Sequence, residues 1–193
     1  CNMYKAIPFQ RRPKEEVFQD IEAARELYAE EVRTVFIGDS DNLVIRPETF
    51  LEILKRLYAS FPKIERVTSY ARAKTLRHRS LDHLKALREG GLTRLHVGLE
   101  SGDEEVLKAV RKGVTPSEVI EGATKAKEAG FEVSLYVILG LGGQERWREH
   151  ALQTARVLNA VDPHFIRIRT LVPRPGTPLF EDCLLYTSPS PRD

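Results

Sequence analysis

Cysteine is almost absent: the 193-residue chain has two, Cys1 and Cys183, at opposite ends. That excludes a disulfide framework and a metal knuckle built from closely spaced thiols. No apolar run approaches the roughly 20 residues needed to span a bilayer, and no signal peptide opens the chain. A soluble, cytoplasmic protein with no membrane partner is the expectation. Charge of one sign is lacking too, since 30 basic and 28 acidic residues leave a formal net charge of +2. Composition by itself therefore makes no case for nucleic acid or an anionic membrane surface. What is present is 41% hydrophobic content, enough for the core of about one domain on a prior of roughly 150 residues per domain.

Both ends read as foreign to a complete protein. The chain opens at Cys1 without an initiator methionine and is expected to be a fragment of a longer frame, with residues 1–182 as its ordered domain. Residues 183–193 (CLLYTSPSPRD) have no helix or strand period and back-translate to a string resembling a transposon end joined to a sequencing-primer site. They are expected to be translated library adapter, a non-native, disordered tail that carries no weight in fold reasoning. The alternative is a natural Pro/Ser-rich linker.

Between the ends, periodicity defines the elements. Pro13 followed by Glu15 and Glu16 starts a helix, and Val17, Ile21, Ala24, Leu27 and Tyr28 repeat at helical spacing. A strand over 33–37 ends in Gly38-Asp39-Ser40-Asp41, and Pro47 opens a helix with Phe50, Leu51, Leu54, Leu57 and Tyr58 on one face. A strand over 66–71 leads into a basic turn; Ser80 then caps a helix that stops at Gly90-Gly91. The stretch 93–103 (TRLHVGLESGD) is a strand, a glycine-bracketed turn and a helix start at Asp103. Thr115-Pro116-Ser117-Glu118 is a capping box for a helix ending at Gly130. A strand over 132–139, a helix from Trp147 to the Asp162-Pro163 break and a strand over 164–172 complete the pattern.

Strand and helix thus alternate five times at a spacing of roughly 30 to 40 residues, the signature of βαβ units around a parallel sheet. Two architectures fit, a (β/α) barrel and an open doubly wound sheet. Alternation puts Thr34, His96, Glu100, Ser134, Tyr136, Arg167 and Arg169 on one face of successive strands. Charges repeated there would be costly beneath packed helices, whereas a barrel lumen open to ligand removes the cost. The predicted class is therefore α/β, a partial (β/α) TIM-type barrel of parallel strands. Its first strand is missing, since a helix precedes every strand.

Three stretches, Cys1-Asn2-Met3-Tyr4, Gly98-Leu99-Glu100-Ser101-Gly102-Asp103, and Leu171-Val172-Pro173-Arg174-Pro175-Gly176-Thr177-Pro178-Leu179, occur in this order. Together they resemble the radical S-adenosylmethionine (radical SAM) superfamily, in the branch that includes tRNA methylthiotransferases. The resemblance implies a [4Fe-4S] cluster on three cysteines spaced C-x3-C-x2-C, with the fourth iron left for S-adenosylmethionine. It also implies reductive cleavage of that cofactor to a 5′-deoxyadenosyl radical, fed by an electron donor such as flavodoxin or ferredoxin. Cys1 matches the third cysteine; the other two are expected upstream of residue 1, so the fragment alone is expected to be inactive.

The same resemblance assigns the cofactor-binding positions. Gly38, Asp39 and Ser40 stand where the family has a glycine-rich turn receiving the methionine ammonium, although only the Gly matches. Glu100 and Ser101 stand where it contacts the ribose or carboxylate of the cofactor, and Ser69 and Arg72 are weaker matches at the preceding strand end. Ile138, with Gly140-Leu141-Gly142-Gly143, resembles the motif beside the adenine. Arg167 and Arg169 are candidates for a substrate or cofactor carboxylate, and the basic run Arg72, Lys74, Arg77, His78, Arg79 could receive an anionic small molecule or RNA. Two other functions stay open. One is an iron-free barrel lyase or hydrolase using Glu100 and His96 as acid and base; the other is a non-catalytic barrel that binds a nucleotide or RNA.

Overall fold

The computed structural model describes residues 10–28 and 31–181. The first motif, Cys1 to Tyr4, and the tail over 183–193 lie outside them, as does Asp182. The elements are α1 (Lys14–Tyr28), β1 (Thr34–Ile37), a 3-10 turn (Asn42–Val44), α2 (Pro47–Ser60), β2 (Arg66–Ala71), α3 (Ala73–His78), α4 (Leu81–Glu89), β3 (Leu92–Glu100), α5 (Glu104–Ala109), α6 (Pro116–Glu128), β4 (Glu132–Leu139), α7 (Trp147–Val161) and β5 (Phe165–Thr170).

All four strand pairings are parallel and the spatial order is β1-β2-β3-β4-β5. A doubly wound sheet must reverse direction at a switch point; this one never does. Sequential parallel order with a helix between strands is barrel topology, left open at the edges β1 and β5. Beside the β1 edge lies a groove of about 790 Å³ between α1, α2 and β1, lined by Val17, Ile21, Val35, Ile37 and Ile53. No strand fills it among the described residues.

The core lies between the outer face of the sheet and the helices. Val67 and Ala71 of β2, Leu95, Val97 and Leu99 of β3 and Val133, Leu135 and Val137 of β4 point to it, where they meet Leu54 of α2, Leu84 and Leu87 of α4 and Val119, Ala123 and Ala126 of α6. In α2 the apolar spacing of Phe50, Leu54 and Leu57 is what this face buries. Local signals did the rest. The capping box at Thr115 forms in both directions, Ser80 accepts from the His83 N–H, and Asp162 closes α7 in the left-handed region at φ 47°.

Two expectations fail. The basic stretch after β2 is not a turn but the helix α3, because Ala73 and Leu76 bury one side of it and the Asp41 carboxylate holds its first turn, accepting from the Arg72 N–H and the Thr75 hydroxyl. Leu27 and Tyr28, assigned to the buried face of α1, are instead 78% and 62% exposed. Tyr28 lines the open groove beside β1, which leaves its ring uncovered, and Ile21 is the one buried position on that helix.

Candidate active site

The inner face of the sheet is where the polar side chains collect. Register places Tyr70 beside His96, His96 beside Ser134, and Tyr136 beside Arg167. The rings follow this arc: Phe36 to Tyr70 is 4.8 Å between centroids, Tyr70 to His96 6.1 Å and His96 to Tyr136 5.5 Å. The Arg167 guanidinium lies 5.8 Å from the Tyr136 ring. Lower down, Arg94 is paired with Glu132 at 2.8 Å and stacks 4.0 Å over Phe165.

Burial pushes the His96 imidazole down to about pKa 4, helped by the charges of Arg167, Arg94 and Arg66. His96 is therefore neutral at neutral pH. The unfolded chain takes up this proton near pH 6.5 and the folded chain does not until about 4. Stability is complete above that window and falls as pH drops through it, by roughly 1 to 3 kcal/mol at most. Denaturant titrations across the window are expected to give a flatter pH profile for His96→Gln; parallel profiles would contradict the assignment.

At the C-terminal end of β3 the chain makes a bulge, with the register slipping between Gly98 and Glu100 and Glu100 in the left-handed region at φ 62°. A side chain at Gly98 would sit 2.3 Å from the Glu100 carboxylate. The carboxylate thus folds back over the inner face, into space that only glycine leaves open. There it pairs with Lys112 Nζ at 2.8 Å. Arg72, Lys74, Gly98 and Lys112 line a small cavity of about 50 Å³ beside it.

The next three residues lock the bulge onto α7. The Ser101 hydroxyl is 2.8 Å from His150 Nδ1 and accepts from the Asp103 N–H, and the Gly102 N–H donates to Thr154 Oγ1. Asp103 caps α5 through the Glu105 N–H and takes a two-pronged contact from Arg146, at 2.9 and 3.1 Å. Burial pushes the Asp103 carboxyl up, but the bonds from Arg146 and the Glu105 N–H outweigh it and hold the group below the usual carboxylate range. Burial lowers the His150 pKa, against the opposing pull of an Ile138 backbone bond and the Asp103 charge.

The residues singled out from sequence are distributed unevenly. Glu100, Ile138, Arg167 and Arg169 share the inner face, and Gly38, Asp39 and Ser40 form an exposed turn at the same end of β1. Arg72 is exposed at the start of α3. Ser69 lies on the outer face of β2, fully buried, where its hydroxyl accepts from Asn42 Nδ2 and donates to the Tyr70 carbonyl. Ser101 is fully buried as well and spends its hydroxyl on the α7 contact. Both fix turns rather than face the lumen. Alternation along 66–71 selects Tyr70, not Ser69, and this signal was present in the sequence.

Asn42 was overlooked: its amide also donates to the carbonyls of Ile37 and Gly38 and so sets the first turn. Lys112 and His150 were overlooked too, and no short-range signal marks them. In the basic run, Arg77 pairs with Glu118 and Glu121, and Arg79 binds the Leu43 and Ile45 carbonyls. Those guanidinium groups hold the fold together.

Sequential parallel strands with a polar inner face and a bulged carboxylate at their C-terminal ends define a (β/α) barrel-type protein. Residues 1–155 match the Radical SAM superfamily, and the chain belongs to that family. Members use a [4Fe-4S] cluster and S-adenosylmethionine. Among curated proteins, it is 30% identical over 97 residues to an uncharacterized methyltransferase, PH0819, of Pyrococcus horikoshii, covering 50% of this chain and 21% of that one. It is 26% identical over 132 residues to the heme chaperone HemW of Bacillus subtilis, covering 67% and 35%. Among solved structures, the coproporphyrinogen III oxidase HemN of Escherichia coli, a radical SAM enzyme, superposes with a TM-score of 0.67 at 19% identity over 94% of this chain and 43% of that one. The chain spans about a third or less of the length of these two curated relatives.

The described residues contain no group of three His, Cys, Asp or Glu side chains able to hold a metal. Cys1 lies outside them. No helix among them is long and apolar enough to cross a membrane.

Proposed function

We propose that this chain forms the S-adenosylmethionine-binding part of an enzyme that cleaves the cofactor reductively. Glu100 is the observation that carries the reading. A carboxylate in left-handed backbone, over a glycine and at the C-terminal rim of a barrel, is costly to maintain. The Ser101–Gly102–Asp103 contacts with α7 maintain it. Such a group accepts hydrogen bonds from a pair of ribose hydroxyls, with Lys112 fixing its position. The carbonyls of the Gly38 turn, oriented by Asn42, suit an ammonium donor, and Ile138 with the bare backbone of Gly140 suits a flat adenine. Cys1 is assigned as a cluster ligand. When bound, the reduced cluster and cofactor supply one-electron cleavage of the sulfonium and hydrogen abstraction from substrate. The inner face orients the substrate and excludes water and oxygen. A small one-electron donor of the flavodoxin or ferredoxin type would reduce the cluster.

The iron-free alternative finds little support. Glu100 is committed to Lys112, and His96 lies buried with its base strength suppressed. The test is electron paramagnetic resonance on a polypeptide in which Cys1 completes a C-x3-C-x2-C run, reconstituted and reduced without oxygen. Addition of S-adenosylmethionine is expected to change the cluster signal; an unchanged signal would reject the reading.

A further inference from the structure

The inner face holds features that cofactor binding does not use. Within the ring arc, His96 Nδ1 and Ser134 Oγ are buried without a hydrogen-bond partner among the described residues. Their residues are register neighbours, 5% and 0% exposed. Unmet buried polar atoms cost about 1 to 3 kcal/mol each and are rare in native folds. Two side by side on a lumen wall leave hydrogen-bonding capacity that the described residues do not use.

Charge on the same wall is one-sided. Its strand carboxylates are already neutralised, Glu132 by Arg94 and Glu100 by Lys112. Arg66, Arg167 and Arg169 have no carboxylate partner among the described residues. Arg167 and Arg169 project toward the end of the barrel where Tyr136 and Ile138 sit beside them. A face that pairs a ring arc with surplus guanidinium groups matches a flat body carrying an anion.

We propose that the substrate is an anionic small molecule with a flat, unsaturated body. The body lies along Tyr70, His96 and Tyr136, a polar group meets His96 Nδ1 and Ser134 Oγ, and a carboxylate or phosphate pairs with Arg167 and Arg169. Calling this ligand a substrate rests on the cofactor reading above; the anion site itself does not. A small molecule is favoured over RNA because Arg77 and Arg79 on the outer rim are consumed by the fold, leaving these free arginines on the inner wall. With His96 neutral, the preference for anions comes from guanidinium groups that stay charged at every working pH.

The experiment titrates this chain with 2-naphthoate, 2-naphthyl phosphate and the neutral 2-naphthamide, followed by tyrosine fluorescence. At least one anion is expected to saturate with an affinity about tenfold or more above the amide. The Arg167→Gln/Arg169→Gln variant is expected to abolish that difference while leaving amide binding and thermal stability within error. Whether carboxylate or phosphate ranks first identifies the anion. Equal affinities for amide and anions, no saturable binding of any probe, an unaffected double variant, or competitive displacement of the anion by a single-stranded RNA oligonucleotide would each overturn the proposal. The cluster signal is scored separately. Anion selectivity without a response to S-adenosylmethionine sinks the cofactor reading alone, and the opposite pair of results sinks the anion site alone.

Discussion

Gly102→Ala is expected to destabilise the chain by about 3 kcal/mol or more, from overpacking together with lost buried hydrogen bonds. An added Cβ would meet the backbone of α7, 2.3 Å from the Gln153 carbonyl oxygen and 2.5 Å from Thr154 Cα. Neither atom can move without the helix. Displacing α7 also opens the Gly102–Thr154 and Ser101–His150 bonds and pulls Arg146 from Asp103. For a chain of this size the expected fall in Tm is roughly 6 to 12 °C. Gly38→Ala is the control, because among the described residues its Cβ would meet only the Phe36 ring at an ordinary 3.9 Å; it is expected to change stability by about 0.5 kcal/mol or less. Equal melting temperatures for the two variants would show that the turn is not held by α7.

The second large effect concerns the proposed role of Glu100. Glu100→Gln keeps the shape of the side chain and removes its charge, so the bulge and Tm are expected to persist. A hydrogen bond to a charged group contributes about 1.5 to 3 kcal/mol, which corresponds to about a 10- to 100-fold loss of S-adenosylmethionine affinity. Lys112→Met leaves the carboxylate but frees it from its anchor, and a smaller loss is expected. If Lys112 acts only by positioning Glu100, the double variant should bind no worse than Glu100→Gln alone. Unchanged affinity in Glu100→Gln would remove Glu100 from the site.

Much of this arrangement is legible in residue order. The strand over 132–139, the capping box at Thr115 and the Asp162-Pro163 break coincide with the structure because each rests on contacts within a few residues. The inner face was legible too. Alternation needs only the strand, and a run of His96, Ser134, Arg167 and Arg169 across neighbouring strands makes sense nowhere but in a lumen. Distant partners were not legible. Ser101 has the composition of a ligand contact, yet its hydroxyl belongs to His150, 49 residues further on. Asp41 looked like one more polar turn residue, whereas it holds the first turn of α3, more than thirty residues away. The same blindness hid α3 itself. Five basic side chains within eight residues suggest a solvated turn until Glu118 and Glu121 are brought up to Arg77 and two carbonyls to Arg79.

The proposed function depends on a short piece of backbone held in an unfavourable shape. The bulge at Gly98–Glu100 is made possible by a missing side chain at 98, and the buried contacts of residues 101–103 make it stable. The rings below it and the arginines at its own level, Arg167 and Arg169, give the same wall the proposed second surface for ligand. A cofactor at Glu100 and a substrate anion at Arg167 and Arg169 would place the reacting centres on one face of one sheet, which is the geometry that hydrogen transfer between two bound molecules requires.

The most direct measurement is product analysis. A polypeptide in which Cys1 is the third cysteine of a C-x3-C-x2-C run is reconstituted with iron and sulfide under anaerobic conditions, reduced with dithionite and given S-adenosylmethionine. The account predicts 5′-deoxyadenosine and methionine in equal amounts, lost on exposure to oxygen and strongly reduced in Glu100→Gln. A fully loaded cluster that yields neither product would contradict it.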